Sequence, residues 1–185
     1  MLDNTRLRGE LVHIHRTLSG VAAGARGKTL IDDVRRQVGG TTAALLWQSL
    51  FADCLRVAYS AAAADGAIGD DEVEALYEFV FSAARHYAGV LPTIYGEFAA
   101  IDEDSVRVFL DRYAADRSLF GRGATRHWPG LDLCRRAAEL GEAEPLERYE
   151  RMMVWLITAA CQIGGVTEAD PRWHGRVDEL DELRR

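Results

Sequence analysis

The amino-acid sequence predicts an all-α protein, a bundle of about seven to nine helices. Apolar residues recur at the 3.6-residue period of an amphipathic helix in three long segments, which are residues 47–62, 73–84 and 152–161. The alternation of apolar and polar residues that marks a half-buried strand is, by contrast, hard to find. Since 48% of the 185 residues are hydrophobic, the chain also has enough apolar surface for a sizeable core.

Shorter amphipathic patterns complete the predicted bundle. Pro171 suits the first turn of the last helix, where its missing N–H group costs no hydrogen bond. Gly66 is predicted to end the helix of residues 47–62 with a positive φ, and Asp70 or Asp71 to cap the next helix. The further helices are expected at Leu7–Leu18, Leu30–Val38, Ser105–Ala115, Leu131–Leu140 and Trp173–Leu183.

Glycine-rich stretches suggest where the chain divides. Glycines cluster between residues 20 and 27 and again at Gly39 and Gly40, on either side of a short predicted helix. Such clusters are typical of flexible joints. We therefore predict an N-terminal helical arm over residues 1–40 and one helical domain over residues 41–185.

Composition narrows the classes of function. The formal net charge of −7 disfavours a nucleic-acid binder, because contacts to phosphate need a basic surface. No apolar run reaches the ~20 residues of a membrane span, and no secretory signal is visible at the N-terminus. Three widely spaced cysteines without a C-x-x-C pair fit a reduced, cytoplasmic protein.

Two short patterns point to enzymatic chemistry, but neither has the structural context that the chemistry needs. Residues 22–29 match a relaxed phosphate-binding loop, yet a helical stripe rather than a buried strand precedes them, so we interpret them as a glycine-rich linker. Arg122 and His127 have the Arg-x4-His spacing of HEPN-type helical ribonucleases, which Arg8 and His13 share. A helical nuclease that uses Arg122 and His127 is kept as an alternative function.

The most informative local pattern is an acidic turn, the segment from Asp65 to Glu72, which also holds Asp70 and Asp71. Aligned with a calcium-binding loop, Asp65 and Glu72 fall on the fifth and twelfth positions, but alanines occupy the first and third. Calcium takes six to eight oxygen ligands, so a normal EF-hand is excluded. The segment predicts a helix–acidic turn–helix hairpin, and one interpretation is that its acids only cap and solubilise the helices.

Residues 55–76 resemble the TerB family of tellurite-resistance and stress proteins. A small-residue helix ends in Asp65 and a glycine, an apolar residue follows two positions after that glycine, and Glu72 opens the next helix. The resemblance implies an all-helical fold of two such hairpins, and acidic turns that bind divalent metal. It places Asp65 and Glu72 at the family positions for that metal, with Asp70 and Asp71 as helpers. Because all of these ligands are oxygens, the expected metal is calcium, magnesium or manganese, and not zinc.

A second hairpin, which the resemblance requires, is found at an offset of 99 residues. This offset aligns residues 163–166 with residues 64–67, and an apolar helix precedes both segments. The second copy is degenerate, because Gly164 stands in the place of Asp65 and only Glu168 and Asp170 supply later acids.

From these observations we expect a non-enzymatic, cytoplasmic interaction module of a bacterial stress-response or phage-defence system, tuned by a divalent cation at the acidic turn. The family has no established catalytic activity. Between Asp65 and Asp104 the chain carries ten carboxylates and the single cation Arg85, which favours a basic protein partner. A homo-oligomer is the other expected assembly. The alternative functions are the helical nuclease and a structural subunit of a larger assembly.

Overall fold

Helices form the regular secondary structure of the part of the chain that can be described. The computed structural model describes residues 4–24, 30, 42–62, 69–71, 73–78, 104, 128–163 and 165–183. None of these residues lies in a β-strand. The prediction of an all-α protein is therefore confirmed for these ranges, whereas the number of helices in the whole chain stays a prediction.

Each described helix contains most of the amphipathic pattern that predicts it, but the helices begin up to eight residues before the patterns. The helices are α1 (Asn4–Ala23), α2 (Thr42–Ala62), α3 (Pro129–Glu139), α4 (Glu144–Ile163) and α5 (Pro171–Leu183). Residues 70–71 and 73–78 are helical as well. Pro171 lies in the first turn of α5, as predicted, and the helix begins there, two residues before the predicted range of Trp173–Leu183. Leu30 is the one described residue of the helix predicted at 30–38. The helix predicted at 105–115 lies outside the described residues, although residue 104 just before it is described.

The chain divides into two compact units, and α2 and α4 contribute residues to both. Among the described residues, unit 1 consists chiefly of residues 55–62, 69–71, 73–78 and the part of the chain from Met153 onwards. Unit 2 contains the rest of α1, α2 and α4 together with α3.

Unit 2 has a core to which all four of its helices contribute. The apolar stripe of α1, which is Leu7, Leu11, Ile14 and Leu18, is at most 2% exposed. In α2, Trp47 stacks on Phe51 with ring centroids 5.5 Å apart, and the edge of the His15 ring meets Trp47. The other buried apolar residues are Leu30, Leu45, Leu46, Leu50, Cys54, Trp128, Leu131, Leu133, Cys134, Ala137, Tyr149 and Met152. Helix α1 is therefore packed into a core, while the domain boundary predicted at residues 40/41 lies outside the described residues.

Unit 1 has its own buried stripe on the later turns of α2 and α4. The thiol of Cys161 on α4 donates a hydrogen bond to the carbonyl oxygen of Ala61 on α2, with a separation of 3.6 Å. Val73 and Leu76 of the helical residues 73–78 are also buried. The remaining buried apolar residues of this unit are Val57, Ala58, Met153, Leu156, Ile157, Ala159, Ala160 and Val166.

Helix α4 ends in a glycine turn whose backbone N–H groups donate hydrogen bonds to carbonyl groups in the last turn of the helix. Gly165 has a φ of 71°, the N–H of Val166 donates to the carbonyl of Cys161, and the N–H of Gly165 donates to Gln162. These two bonds form a Schellman motif, in which the buried Val166 folds back onto the helix. Glycine at this position avoids the steric strain that a side chain meets at positive φ.

None of the helices in the described part of the chain is long and apolar enough to cross a membrane.

Replacing Gly165 with alanine isolates this backbone requirement, since a Cβ atom at Gly165 would meet open space. We expect Gly165→Ala to lower the free energy of unfolding by about 1–2 kcal/mol, because the left-handed conformation is strained for L-residues. Gly175→Ala is the matched control, because Gly175 lies inside α5 and its Cβ would also meet open space. This control should stabilise by about 0.5–1 kcal/mol. Urea unfolding measures both changes, and equal signs for the two variants would contradict the prediction.

Candidate functional site

The acidic turn is only partly within the described residues. Asp65 and Glu72 lie outside them, whereas Asp70 and Asp71 are exposed at the start of a helical segment. The N–H of Val73 donates to the carbonyl of Gly69 at 3.2 Å. The carbonyl of Gly69 thus accepts the first hydrogen bond of this helix, which makes Gly69 the N-cap residue. Asp70 and Asp71 lie in the first turn of the helix, and not at the N-cap position that was predicted for one of them. Carboxylates in a first turn interact favourably with the helix dipole.

The structure neither brings the four predicted metal ligands together nor separates them, because two of them are not described. Among the residues that are described, no group of three or more histidine, cysteine, aspartate or glutamate side chains could hold a metal ion. The set of Asp65, Asp70, Asp71 and Glu72 therefore stays a prediction.

The second turn holds its carboxylate in a fixed arrangement. Asp170 precedes α5, and its Oδ1 accepts the backbone N–H of Arg172 at 2.8 Å, which is the contact of an N-cap residue. The guanidinium of Arg172 also donates from Nε to Oδ1 at 3.0 Å and from Nη2 to Oδ2 at 2.7 Å. The side-chain and backbone hydrogen bonds from Arg172 lower the pKa of Asp170 to about 2. Asp170 therefore forms an ion pair with Arg172, two positions further along the chain.

A buried carboxylate joins three helices of unit 2. Asp53 of α2 is 0% exposed. Its Oδ2 accepts the N–H of Leu131 at 3.0 Å and the hydroxyl of Tyr149 at 2.8 Å. Leu131 lies in the first turn of α3, where Trp128 at the N-cap position provides no side-chain cap. The carboxylate of Asp53 thus caps α3 from a different helix, in keeping with the preference of helix N-termini for negative charge.

The close approach of α3 to α2 at this point depends on Gly130. A Cβ atom built on Gly130 would lie 2.7 Å from Oδ2 of Asp53 and 3.0 Å from the Cα atom of Leu50. Any side chain at this position would therefore have to displace either the carboxylate or the backbone of α2. The contact between Asp53 and the start of α3 therefore requires glycine at position 130.

The polar groups around Asp53 are held in their neutral forms. Burial raises the pKa of Cys54 well above its usual value, and the neighbouring charge of Asp53 raises it further. The same two causes, in the same order, raise the pKa of Cys134 and of Tyr149. Since the thiolate is the nucleophilic form of cysteine, these thiols are suited to packing and not to covalent catalysis.

Sequence reasoning missed Asp53, although a signal was present. It is the only charged residue in α2 before Arg56, and it directly precedes Cys54 of the predicted apolar stripe. An acid beside the buried face of a helix needs a hydrogen-bonding partner. The partners themselves, 78 and 96 positions away along the chain, had no signal in the sequence.

A chain of polar and charged side chains connects α1 to α4 at the surface of unit 2. His13 lies 3.0 Å from Oε1 of Glu144, and the same oxygen accepts a hydrogen bond from Arg148 at 2.9 Å. Arg148 also donates to Glu10 on α1 at 2.9 Å. The hydrogen bond from Arg148 is the main reason that the pKa of Glu144 is lowered. Because these side chains are partly exposed, the network contributes little to stability and mainly orients the two helices.

The residues considered for nuclease chemistry are not assembled in the described part of the chain. Arg122 and His127 lie outside it. The second pair with the same spacing is on α1, where His13 contacts Glu144 and Arg8 is exposed. The predicted linker at 22–29 begins with the last residues of α1, and residues 25–29 are outside the described ranges.

Comparisons with known proteins give no match to this chain, whether with protein-family models, with curated proteins or with solved structures.

We expect the hydroxyl of Tyr149 and the carboxylate of Asp53 to stabilise unit 2 as a coupled pair. Tyr149→Phe should lower the free energy of unfolding by about 1.5–3 kcal/mol, because it removes a buried hydrogen bond to a charged group. In a double-mutant cycle with Asp53→Asn, the coupling energy should be about 0.5–3 kcal/mol. Asp178→Asn, at an exposed position of α5, is the control for loss of one negative charge. Strictly additive effects in denaturant unfolding would contradict the coupling.

The Asp170–Arg172 pair should make stability depend on pH in the acid range. Because the pKa of Asp170 is lowered from its usual value of 3.8 to about 2, its contribution is complete above about pH 4. That contribution is lost as the pH falls from about 4 to about 2. Asparagine keeps the capping oxygen but cannot be ionised, so Asp170→Asn should lose less stability than wild type over this range. Thermal melts at a series of pH values measure the difference, and parallel curves for the two proteins would contradict the assignment.

Proposed function

We propose that this chain is a non-enzymatic, TerB-like interaction module that acts in the cytosol in a bacterial stress-response or phage-defence system. Its ligand is a divalent cation, calcium, magnesium or manganese, held at the acidic turn by Asp65, Asp70, Asp71 and Glu72. Its partner is a protein with a basic surface. The family resemblance of residues 55–76 is the origin of this proposal, and three features of the described residues support it.

The observation that carries the proposal is the placement of the aspartates next to a firmly anchored helix. Val73 and Leu76 are buried in unit 1, at 3% and 0% exposure, while Asp70 and Asp71 are exposed. The helix is thus fixed by its apolar side and presents carboxylates to solvent at its start. Calcium, magnesium and manganese prefer oxygen ligands, and a helix end anchored by its apolar side holds its carboxylates in a defined arrangement.

The second feature is a repeat of the helix–turn–helix pattern at the predicted position. Helix α4, the glycine turn at Gly165 and α5 follow one another in the order that the offset of 99 residues predicts. Gly165 corresponds to Gly66 of the acidic turn in this alignment. A positive φ at Gly165 therefore supports the interpretation of Gly66 as a helix-ending glycine.

The third feature concerns the interior of unit 2, where the groups that most often perform catalysis have structural tasks. Cys54 and Cys134 are buried thiols with raised pKa values, and Tyr149 is hydrogen-bonded to Asp53.

The acidic side chains on the exposed side of residues 70–78 favour a role in binding instead. These are Asp70, Asp71, Glu74 and Glu78, and their negative potential attracts basic partners and cations.

Thermal melting with and without divalent cations tests the proposal. After treatment with a chelator, wild type should gain about 3–10 °C in Tm on addition of millimolar calcium, magnesium or manganese, because a cation that binds only the folded state stabilises it. Asp65→Ala should abolish this gain, since Asp65 is one of the two family ligands.

Asp178→Ala is the control, because it removes an exposed carboxylate from α5, outside the acidic turn. It should keep the full response to cations. Two results would contradict the cation site, namely no shift in wild type with any of the three metals, or an undiminished shift in Asp65→Ala.

A further inference from the structure

We propose that the exposed face of α1 binds the acidic segment, residues 69–71 and 73–78, of a second copy of this chain. The two surfaces carry opposite charges, so each copy supplies both halves of the contact. The inference rests on the proposed function in one respect, because it names the basic protein partner that is proposed there.

The side of α1 that points away from the core is basic. Arg16 and Gly9 lie opposite the buried apolar stripe of this helix, and Arg8 lies at the edge of that side, since successive residues turn by about 100°. All three residues are exposed. Glu10 is the only acid in α1, and it accepts a hydrogen bond from Arg148. None of the ion pairs among the described residues involves Arg8 or Arg16, so their positive charge is available at the surface.

The acidic segment carries the complementary charge on its exposed side. Asp71, Glu74 and Glu78 are exposed, and they follow one another at three and four positions, the spacing of neighbours on one helix face. This face lies opposite the buried apolar residues of the segment. Between positions 69 and 78 the chain has five acidic residues and no basic one. The segment therefore presents a continuous negative stripe to a partner.

The two surfaces match in length as well as in charge. Arg8 and Arg16 are eight residues apart, which is about 12 Å along the axis of α1. The three acids of the stripe span two helical turns, about 11 Å. Two helices that lie side by side can therefore pair an arginine with an acid at each end of the contact. A Cβ atom at Gly9 would meet open space, so the partner helix can approach the backbone of α1 closely.

A second group of acids is a weaker match for α1. These exposed acids surround the turn between α3 and α4, and they are Glu139, Glu142, Glu144 and Glu147. Glu144 already accepts a hydrogen bond from Arg148, and Arg151 lies one turn further along α4. Positive charge this close reduces the negative potential of the turn. The acidic segment contains no basic residue, and it therefore attracts the arginines of α1 more strongly.

Charge reversal on each surface tests the contact by sedimentation velocity. Wild type should self-associate at low salt and dissociate at about 1 M salt, which screens exposed charges. The α1 variant, Arg8→Glu with Arg16→Glu, should self-associate about tenfold or more weakly, because both of its surfaces are negative. The segment variant, Glu74→Arg with Glu78→Arg, should be weakened to a similar extent, because both of its surfaces are positive. Thermal melts establish that each variant is folded.

An equimolar mixture of the α1 variant and the segment variant should associate again at low salt. In the mixture, each surface of one variant meets a surface of opposite charge on the other. Since the formal net charge of the chain is −7, both variants stay net negative, and attraction between net charges cannot explain their association. Absence of association in this mixture would overturn the proposal, as would a wild type that stays monomeric at low salt.

Glu142→Arg with Glu147→Arg is the matched control, because it reverses two exposed acids at the other acidic surface. It should self-associate like wild type, and a loss as large as that of the segment variant would contradict the choice of the acidic segment.

This outcome is separable from that of the proposed function, because Glu74 and Glu78 are not among the four proposed cation ligands. Self-association without a cation-induced shift in Tm would refute the cation site and support the contact. A cation response in a wild type that stays monomeric would do the reverse.

Discussion

The arrangement of unit 2 depends on one buried carboxylate. Burial of a carboxylate away from water raises the free energy of the folded state unless the carboxylate accepts hydrogen bonds. Asp53 and its hydrogen-bond donors therefore hold one another in place. Its donors come from the first turn of α3 and from the middle of α4. A displacement of either helix would leave a buried polar group without its hydrogen bond. The apolar packing around Trp47 and Phe51, by contrast, does not depend on direction in this way.

The same contact explains three features that lie far apart in the sequence. Helix α3 begins without a side-chain cap at Trp128, because Asp53 supplies the negative group from α2. Position 130 is glycine because a Cβ atom would collide with that carboxylate. The thiols of Cys54 and Cys134 remain protonated because they share the buried environment and the charge of Asp53.

The aspartates of this chain show how environment assigns different tasks to one residue type. Asp53 is buried and holds three helices together, whereas Asp170 forms an ion pair with Arg172. Asp70 and Asp71 are exposed in the first turn of a helical segment. Of these four aspartates, burial therefore separates the structural Asp53 from Asp70 and Asp71, whose carboxylates face solvent.

The sequence by itself determined the all-α class of the described residues, the stripes of α1, α2 and α4 and the place of Pro171 in the first turn of α5. These features are local, since a helical period and a proline at a helix start act within a few residues. It did not reveal that Asp53 accepts bonds from Leu131 and Tyr149, or that Gly130 makes room for them. Partners 78 and 96 positions apart along the chain are brought together only by packing, so the tertiary structure alone decided that contact.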